Sequence, residues 1–414
     1  MRPLAAAGPA ASTTPPAADS YDPRPGVPTE GVPERWPALV PGPVRGFLVR
    51  VGAAAAWLGD RLAGLFGREP AGRGAHSPAG RAQAAWRAAD AALAIPGRGL
   101  YLERAGEPLA PATVWPHGQA IAAALDLAAL TGDYRQVDDL MAGLSFYKRD
   151  GAYSGGIDEL RGAGRYYDDN AWIALDFLQA HAQTGQHAYL EKAEELFRFL
   201  EAGQHRDGGM YWLEKADRMT RNTCATAPAI QVALRLYLAT RDERYLAFAK
   251  RQDAFLDARL RSPEGLYWDN LGDDGAVDRA IHSYNQGTPI GSDVLFYRIT
   301  GDKRYLERAR ATADAALAHF GQDDRLWKSS PAFNAIFFRN LLALDLLAPD
   351  PRYRAAMTAY LDRAWREARD PATGLFSGGG IGAYGKPGNL LDQAGFAQMY
   401  ALLGWPPERL LDVS

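Results

Sequence analysis

The strongest chemical signal in the sequence is a pair of adjacent carboxylates, Asp168 and Asp169, in the segment YYDDNAW at 166–172. Two carboxyl groups about 5 to 5.5 Å apart can divide glycoside hydrolysis between a nucleophile and a general acid and base. Neighbouring side chains in a regular helix diverge by about 100°, so we expect Asp168 to keep an extended backbone while Asp169 is already helical. The structural alternative is helix capping, which also favours acidic residues at this point.

Aromatic side chains are concentrated in the same kind of segment, between or at the starts of apolar helical stretches. These tryptophans are Trp115, Trp212, Trp268 and Trp327. Flat rings stack on sugar faces, while Asp and Asn hydrogen-bond sugar hydroxyl groups. The pattern favours a carbohydrate cleft, although a tryptophan that packs a loop onto the domain gives the same local signal.

A short phrase recurs along the chain at the junctions between helices. Thr-Gly-Asp-Tyr or a close variant begins at Thr131, Thr184, Thr240 and Thr300, and a degenerate copy begins at Pro349. Gly ends a helix in a left-handed conformation, and Asp caps the next helix. The spacing of about 55 residues is too long for tetratricopeptide or ankyrin repeats and fits two helices plus one long loop.

The helices on the two sides of this phrase differ in pattern. Those before it are apolar nearly all round, and those after it are apolar on one face. We predict six inner helices, starting near residues 118, 170, 225, 285, 333 and 391, and six outer helices, starting near 81, 134, 188, 243, 303 and 352. This predicts an all-α (α/α)6 toroid over residues 80–414. The outer-to-inner connections are long, and long loops usually carry function.

The N-terminal residues and the charge balance argue against a membrane span and against nucleic acid as a partner. Residues 1–43 are rich in Ala and Pro and predict a disordered tail, and residues 44–79 predict an amphipathic helix and linker with too many charges for a membrane span. The 414 residues carry 46 Lys and Arg against 49 Asp and Glu, which gives no basic surface for nucleic acid.

The sequence predicts no cofactor and no metal. The only cysteine, Cys224, has no internal disulfide partner. The histidines lack the helical His-x-x-x-His spacing, and Asp269, Asp273 and Asp274 lack the alternation of a calcium loop. The segment 380–385 matches GxGxxG in letters but follows no strand of a dinucleotide fold.

Residues 80–405 resemble glycoside hydrolase family 76, the α-1,6-mannanases with an α/α six-hairpin barrel. The resemblance rests on YYDDNAW at 166–172, on GGMYW at 208–212 with Asn222, Thr223 and APA at 227–229, and on GLYWD at 265–269 with SYNQG at 283–287. It implies retaining hydrolysis of α-1,6-linked mannose in an α-mannan, with Asp168 as nucleophile and Asp169 as general acid and base. The side chains predicted to bind substrate are Trp115, Tyr167, Trp212, Asn222, Asp269, Tyr284, Asn285 and Gln286.

These roles require the two carboxyl groups to differ in charge. We expect Asp168 to be ionised and Asp169 to keep its proton, because a second adjacent charge is unfavourable and burial under aromatic rings adds to the cost.

Two other functions stay open at this point. An epimerase or a polysaccharide lyase on the same toroid would need a His or Tyr/Arg acid–base set instead of paired carboxylates. A non-catalytic glycan-binding protein would bind sugar without releasing reducing ends. The family is commonly exported, but the apolar run after Met1 is weak as a secretion signal, so the sequence favours a cytoplasmic location over secretion or display at the cell surface.

Overall fold

The computed structural model describes residues 76–107, 111–157, 164–215, 219–378 and 388–411. The predicted disordered tail at 1–43, the predicted helix within 44–75 and the glycine-rich segment at 380–385 lie outside these residues. No helix in the described ranges combines the length and the apolar character needed to cross a bilayer.

Helices dominate the described part of the chain. In chain order they are α1 (Pro78–Leu93), α2 (Val114–Thr131), α3 (Arg135–Gly143), α4 (Tyr167–Thr184), α5 (His187–Ala202), α6 (Thr223–Thr240), α7 (Glu243–Phe255), α8 (Ser283–Thr300), α9 (Lys303–Phe320), α10 (Arg325–Lys328), α11 (Pro331–Leu347), α12 (Pro351–Glu367) and α13 (Leu390–Gly404). The short strands are β1 (Ala94–Ile95), β2 (Leu100–Tyr101), β3 (Lys148–Arg149), β4 (Ala152–Tyr153), β5 (Thr220–Asn222), β6 (Asn270–Gly272) and β7 (Val277–Asp278).

Six of these helices form a closed inner ring: α2, α4, α6, α8, α11 and α13. Each packs against the next, and α13 packs against α2. Buried residues cover most of each inner helix, as the all-round apolar pattern predicts. The outer layer consists of α1, α3, α5, α7, α9 and α12, and the predicted (α/α)6 toroid is confirmed.

The two layers are joined as hairpins. Five outer helices pack against the inner helix that precedes them, while α1 packs against α13, the last inner helix. The first and last long helices therefore form the sixth pair of inner and outer helices, which closes the toroid.

The repeated phrase makes the predicted tight turns at the inner-to-outer end. The residues in left-handed conformation are Gly132, Gly185, Gly301 and Arg241, with φ between 62° and 76°. In the turn between α8 and α9, Thr300 donates to the Phe296 carbonyl at 2.7 Å and accepts from the Asp302 N–H at 3.2 Å. Asp302 then caps α9 by accepting from the Arg304 N–H at 3.0 Å.

The opposite end of the barrel carries the long connections, which fold into short antiparallel strands. β1 pairs with β2, β3 with β4, and β6 lies between β5 and β7. In the last sheet Asn222 lies opposite Asn270, and Asn270 lies opposite Asp278. This sheet joins the loop before α6 to the loop before α8.

The fourth residue of every inner helix is polar and bonds main chain outside that helix. These residues are His117, Asn170, Thr226, Gln286, Asn334 and Gln393. Gln286 accepts from the Tyr267 N–H at 2.7 Å and donates to the Tyr267 carbonyl at 2.9 Å, as a neighbouring strand would. Asn170 and Gln393 each make the same pair of bonds to one loop residue. This repeat fixes the loops above the ring and leaves the second and third helix residues at the rim.

Inside the ring, buried charged side chains connect inner helices that are not sequence neighbours. Asp126 of α2 is fully buried and forms an ion pair with Arg339 of α11. Gln179 of α4 donates to the same carboxylate at 2.8 Å, and Arg339 also donates to Gln398 of α13 at 3.3 Å. Such a network costs desolvation but gives every charge a partner. It fills the interior of the ring below the long-loop end.

Candidate active site

The paired carboxylates lie in the first turn of α4, at the long-loop end. The helix begins at Tyr167, and the extended residue before it is Tyr166, with φ of −92° and ψ of 136°. Both Asp168 and Asp169 are therefore helical, and the prediction of an extended backbone at Asp168 is wrong. The physical reason is that Tyr166 bridges the loop before α6, while the Tyr167 N–H donates to the Trp212 carbonyl at 2.9 Å.

Three donors hold the half-buried Asp168 carboxylate. Its Oδ1 accepts from the backbone N–H of Asp169 at 2.9 Å. Its Oδ2 accepts from Nε1–H of Trp212 at 2.9 Å and from the Cys224 thiol at 3.5 Å. The Trp212 ring packs 4.9 Å from the Tyr166 ring, which fixes the position of the indole donor.

The electrostatics of the pair differ from the expectation that Asp168 is the ionised member. Burial, followed by the neighbouring Asp169 carboxylate, raises the pKa of Asp168 to about 8, and the three hydrogen bonds act in the opposite direction. Because the two carboxyl groups are coupled, the proton belongs to the pair rather than to one residue. The raised pKa of Asp168 therefore favours one proton shared by the pair at neutral pH.

Asp269 and Asn285 form a second polar group beside the first. Nδ2 of Asn285 donates to Oδ1 of Asp269 at 2.8 Å, and Nδ2 of Asn270 donates to Oδ2 at 2.9 Å. Burial, then the charges of Asp168 and Asp269, raises the pKa of the Cys224 thiol well above its usual range. Both carboxylates therefore lie near that thiol, and the site includes residues from α4, α6 and the loop before α8.

Two buried acceptors lie close to this group in the sequence. Oδ1 of Asn222 and Oδ1 of Asn285 have no hydrogen-bond partner among the described residues. Asn222 immediately precedes α6, and Asn285 is the third residue of α8. An unpaired buried polar atom costs about 1 to 3 kcal/mol, so each of these oxygens has unused capacity to accept a hydrogen bond.

Aromatic rings from three inner helices form a wall at the same end. The Tyr284 and Phe333 rings stack at 4.0 Å, and Trp115 lies 5.8 Å from Phe333. His282 lies 5.8 Å from both Tyr284 and Phe333 and 3.9 Å from Asp269. Phe333 and His282 are absent from the predicted site. Phe333 is the third residue of α11, as Asp169 is of α4, and His282 is the N-cap of α8. This place at the starts of inner helices is the sequence signal that would have found them.

Two of the predicted substrate-binding side chains turn into the protein. Tyr167 stacks on Phe199 of α5 at 4.7 Å, and a Cβ at Gly203 would come within 2.4 Å of its ring. Gln286 uses its amide for the main chain of Tyr267 and His282. Both side chains thus make these contacts within the protein, and their predicted contact with sugar stays a prediction.

The acidic residues after the second polar group form a turn. Oδ1 of Asp274 accepts from the Ala276 N–H at 3.0 Å. Across the described ranges, no cluster of three or more His, Cys, Asp or Glu side chains is arranged to hold a metal ion.

The arrangement of paired carboxylates, open acceptors and aromatic wall can be compared with known proteins. The model of glycosyl hydrolase family 76 matches residues 99–383, well over half of the chain. The chain belongs to glycosyl hydrolase family 76. Family 76 membership makes it a glycoside hydrolase, and the match covers both polar groups of the site and most of the toroid.

Solved structures of family 76 share this fold. A family 76 glycoside hydrolase from a bovine Bacteroides thetaiotaomicron strain is 25% identical with a TM-score of 0.72, and the alignment covers 79% of this chain and 77% of that one. A family 76 mannosidase from Bacteroides thetaiotaomicron is 23% identical with a TM-score of 0.70 over 79% and 97% of the two chains.

A third structure has a bound sugar. It is an inactive variant of the family 76 α-1,6-mannanase of Salegentibacter sp., with two neighbouring aspartates replaced by asparagine, in complex with α-1,6-mannotriose. It is 22% identical with a TM-score of 0.64, and the alignment covers 79% of this chain and 100% of that one. No curated protein matches the chain.

Proposed function

We propose that this family 76 member hydrolyses α-1,6-mannosidic linkages of mannan-type glycans with retention of anomeric configuration. The observation that carries the proposal is the pair Asp168 and Asp169 in the first turn of α4, with three donors on Asp168. Capping alone does not account for the pair, because the N-cap of α4 is Tyr166 and makes no side-chain cap bond.

The reaction proceeds in two displacements. In the first, an Asp168 oxygen attacks the anomeric carbon, the glycosidic C–O bond breaks, and Asp169 donates its proton to the departing oxygen. A mannosyl ester of Asp168 results. In the second, the Asp169 carboxylate takes a proton from water, the water oxygen attacks the anomeric carbon, and the ester bond breaks. Two inversions give net retention, and both carboxyl groups return to their initial state.

The charge state of the pair supports this sequence. One proton on two coupled carboxyl groups is the count that the first displacement needs, with the proton on Asp169 and the charge on Asp168. Hydrogen bonds from Trp212 and Cys224 stabilise that charge. Placing the shared proton on Asp169 leaves the net charge of the pair unchanged, so substrate binding has only to redistribute that proton within the pair.

Recognition of mannose is supported by the groups around the pair. The open Oδ1 atoms of Asn222 and Asn285 and the Asp269 carboxylate accept hydrogen bonds from sugar hydroxyl groups, while the wall that includes Trp115 and Tyr284 offers apolar faces. The α-1,6 linkage is proposed from family membership and from the α-1,6-mannotriose bound by the Salegentibacter relative.

The test is incubation of the purified protein with linear α-1,6-mannotetraose, and separately with α-1,2- and α-1,3-mannobiose, followed by mass spectrometry of the products. We expect shorter mannooligosaccharides from the α-1,6 substrate alone. Asp168→Asn and Asp169→Asn should each bind mannotetraose in calorimetry without cleaving it. Asp273→Asn, an exposed acid of the same loop end, is the control and should keep wild-type turnover.

Three results would contradict the proposal. Full turnover by either Asn variant would remove that residue from the mechanism. Binding of mannotetraose by the wild type without release of reducing ends would indicate a glycan-binding protein. Conversion of mannose to an isomer without hydrolysis would indicate an epimerase or isomerase.

A further inference from the structure

The second residues of three consecutive inner helices form one row at the rim of the barrel. They are Asp168 of α4, Cys224 of α6 and Tyr284 of α8. The Tyr284 side chain hydrogen-bonds the Cys224 thiol, and Sγ of Cys224 lies 3.5 Å from Oδ2 of Asp168. The common register of the inner helices therefore aligns a carboxylate, a thiol and a phenol.

Chemistry sets the direction of the hydrogen bonds in this row. A phenol is a good donor, a thiol is a weak one, and an ionised carboxylate only accepts. Tyr284 donates to Sγ of Cys224, which leaves the S–H hydrogen for Oδ2 of Asp168. Cys224 is 1% exposed, so bulk water does not compete for either bond.

The same oxygen of Asp168 also accepts from Trp212, which is the stronger donor. The two donors come from adjoining segments of the chain: Trp212 lies in the loop before α6, and Cys224 lies in the first turn of that helix. Among the described residues, Oδ1 accepts from the main-chain N–H of Asp169, so both side-chain donors to this carboxylate bind Oδ2.

We propose that Cys224 is a positioning residue for the double displacement, in which its thiol holds Oδ2 of Asp168 in the charged state and ties the nucleophile to Tyr284. The proposal rests on the proposed function, in which Asp168 is the nucleophile. A thiol stabilises the carboxylate charge less than a hydroxyl group would. Cys224 therefore supports ionisation of Asp168 without making the carboxylate a poor nucleophile.

The kinetic test compares Cys224→Ala, which removes the donor, with Cys224→Ser, which replaces it with a stronger one. Loss of one hydrogen bond to the charged oxygen should lower the kcat/KM plateau of Cys224→Ala roughly three- to tenfold. The alkaline limb of its pH profile should move to higher pH, and that of Cys224→Ser should move to lower pH. Melting temperatures show whether each variant is folded. If both variants have lower melting temperatures but the alkaline limbs of their pH profiles do not move, the proposal is overturned and Cys224 is a packing residue.

A second measurement does not depend on catalysis. Because the chain has one cysteine, its infrared S–H stretching band reports a single thiol. The wild-type band should move to lower frequency as the pH rises through about 8, when Asp168 ionises. The band of Asp168→Asn should stay unchanged over the same range. A wild-type band insensitive to pH would overturn the contact between Cys224 and Asp168.

The two measurements separate the two proposals. A protein that cleaves no mannan but shows the pH-dependent band contradicts the proposed function and retains the hydrogen bond. A protein that cleaves mannan but shows no band shift and no change of pH limb contradicts the role of Cys224 alone.

Discussion

The indole N–H of Trp212 donates to Oδ2 of Asp168 over 2.9 Å, and the carbonyl of the same tryptophan accepts from the N–H of Tyr167, the residue before that aspartate. One loop residue therefore holds both the backbone at the start of α4 and the carboxylate in its first turn. The loop before α6 and the start of α4 form one unit, so the position of the Asp168 carboxylate depends on a residue that is 44 positions away in the sequence.

Trp212→Phe tests this relationship, because phenylalanine keeps an aromatic ring against Tyr166 and removes the donor. A hydrogen bond to a charged group contributes about 1.5 to 3 kcal/mol, so kcat/KM on α-1,6-mannotetraose should fall roughly ten- to hundredfold. Trp86→Phe is the matched control. It removes an indole donor to Gln136 at 2.5 Å in the outer layer and should lower the melting temperature without changing kcat/KM. Wild-type kcat/KM in Trp212→Phe would contradict the role of this bond.

The pH dependence of activity follows from the pKa of Asp168, which burial and the Asp169 charge raise to about 8. Above this pH the pair loses its remaining proton, and no general acid is left to assist the departing oxygen. We expect kcat/KM to fall on the alkaline side with a midpoint near pH 8, at pH values where the protein is still fully folded at the assay temperature. A profile that stays flat through this region would show that the pair does not supply the proton.

Asp392 gives a stability prediction outside the proposed mechanism. It is the third residue of α13, is fully buried, and has no hydrogen-bond partner for either oxygen among the described residues. Burial raises its pKa well above the usual range, and the Arg104 charge opposes this. A folded-state pKa above the unfolded value means that stability is lost as pH rises from about 4 toward the folded-state pKa.

Asp392→Asn should therefore raise the free energy of unfolding at neutral pH, by roughly 1 to 3 kcal/mol, and the gain should shrink toward zero near pH 4. Urea denaturation at the two pH values measures this. Asp293→Asn is the comparison, because Asp293 is paired with Arg308 at 3.0 Å and its loss leaves a buried guanidinium without that partner. Equal effects of Asp392→Asn at both pH values would mean that ionisation of Asp392 is not the cause.

The sequence predicted the architecture well because each turn is made by local chemistry. The Thr-Gly-Asp phrase contains the left-handed residue and the cap within a few positions, so the helix hairpins can be counted without tertiary information. The starts of inner helices were less accurate. α4 begins at Tyr167, three residues before the predicted start near 170, and α2 begins at Val114, four residues before the predicted start near 118.

These small errors explain which site residues the sequence could not place. Each position along a helix turns the side chain by about 100°, so a shift of three residues changes which of Tyr167, Asp168 and Asp169 faces the cleft. The contact between Cys224 and Asp168 joins residues 56 positions apart. The contact depends on how far α4 and α6 are shifted along their axes relative to each other. The hydrogen bonds of the fourth helix residues set that shift, and no local sequence pattern reveals it.

Arg241 tests the turn chemistry, because it is the one non-glycine residue among the four left-handed turn residues of the repeated phrase. A left-handed conformation costs a non-glycine residue about 1 kcal/mol or more, so Arg241→Gly should raise the free energy of unfolding by up to about 1 kcal/mol. Gly301→Ala is the reciprocal variant, since φ is 70° there and an added Cβ meets nothing within 4 Å. It should destabilise by a similar amount. A destabilised Arg241→Gly would show that the contact of Arg241 with the Tyr237 ring at 5.8 Å outweighs the strain.

The most direct test of the central claim is the anomeric configuration of the first product, observed by proton NMR immediately after the protein is added to α-1,6-mannotetraose and before mutarotation. A double displacement at Asp168 with Asp169 as acid and base predicts that the α-anomer appears first and that the β-anomer accumulates only as the product equilibrates. Initial appearance of the β-anomer would mean that water attacks the sugar directly, and it would contradict the assignment of Asp168 as the nucleophile.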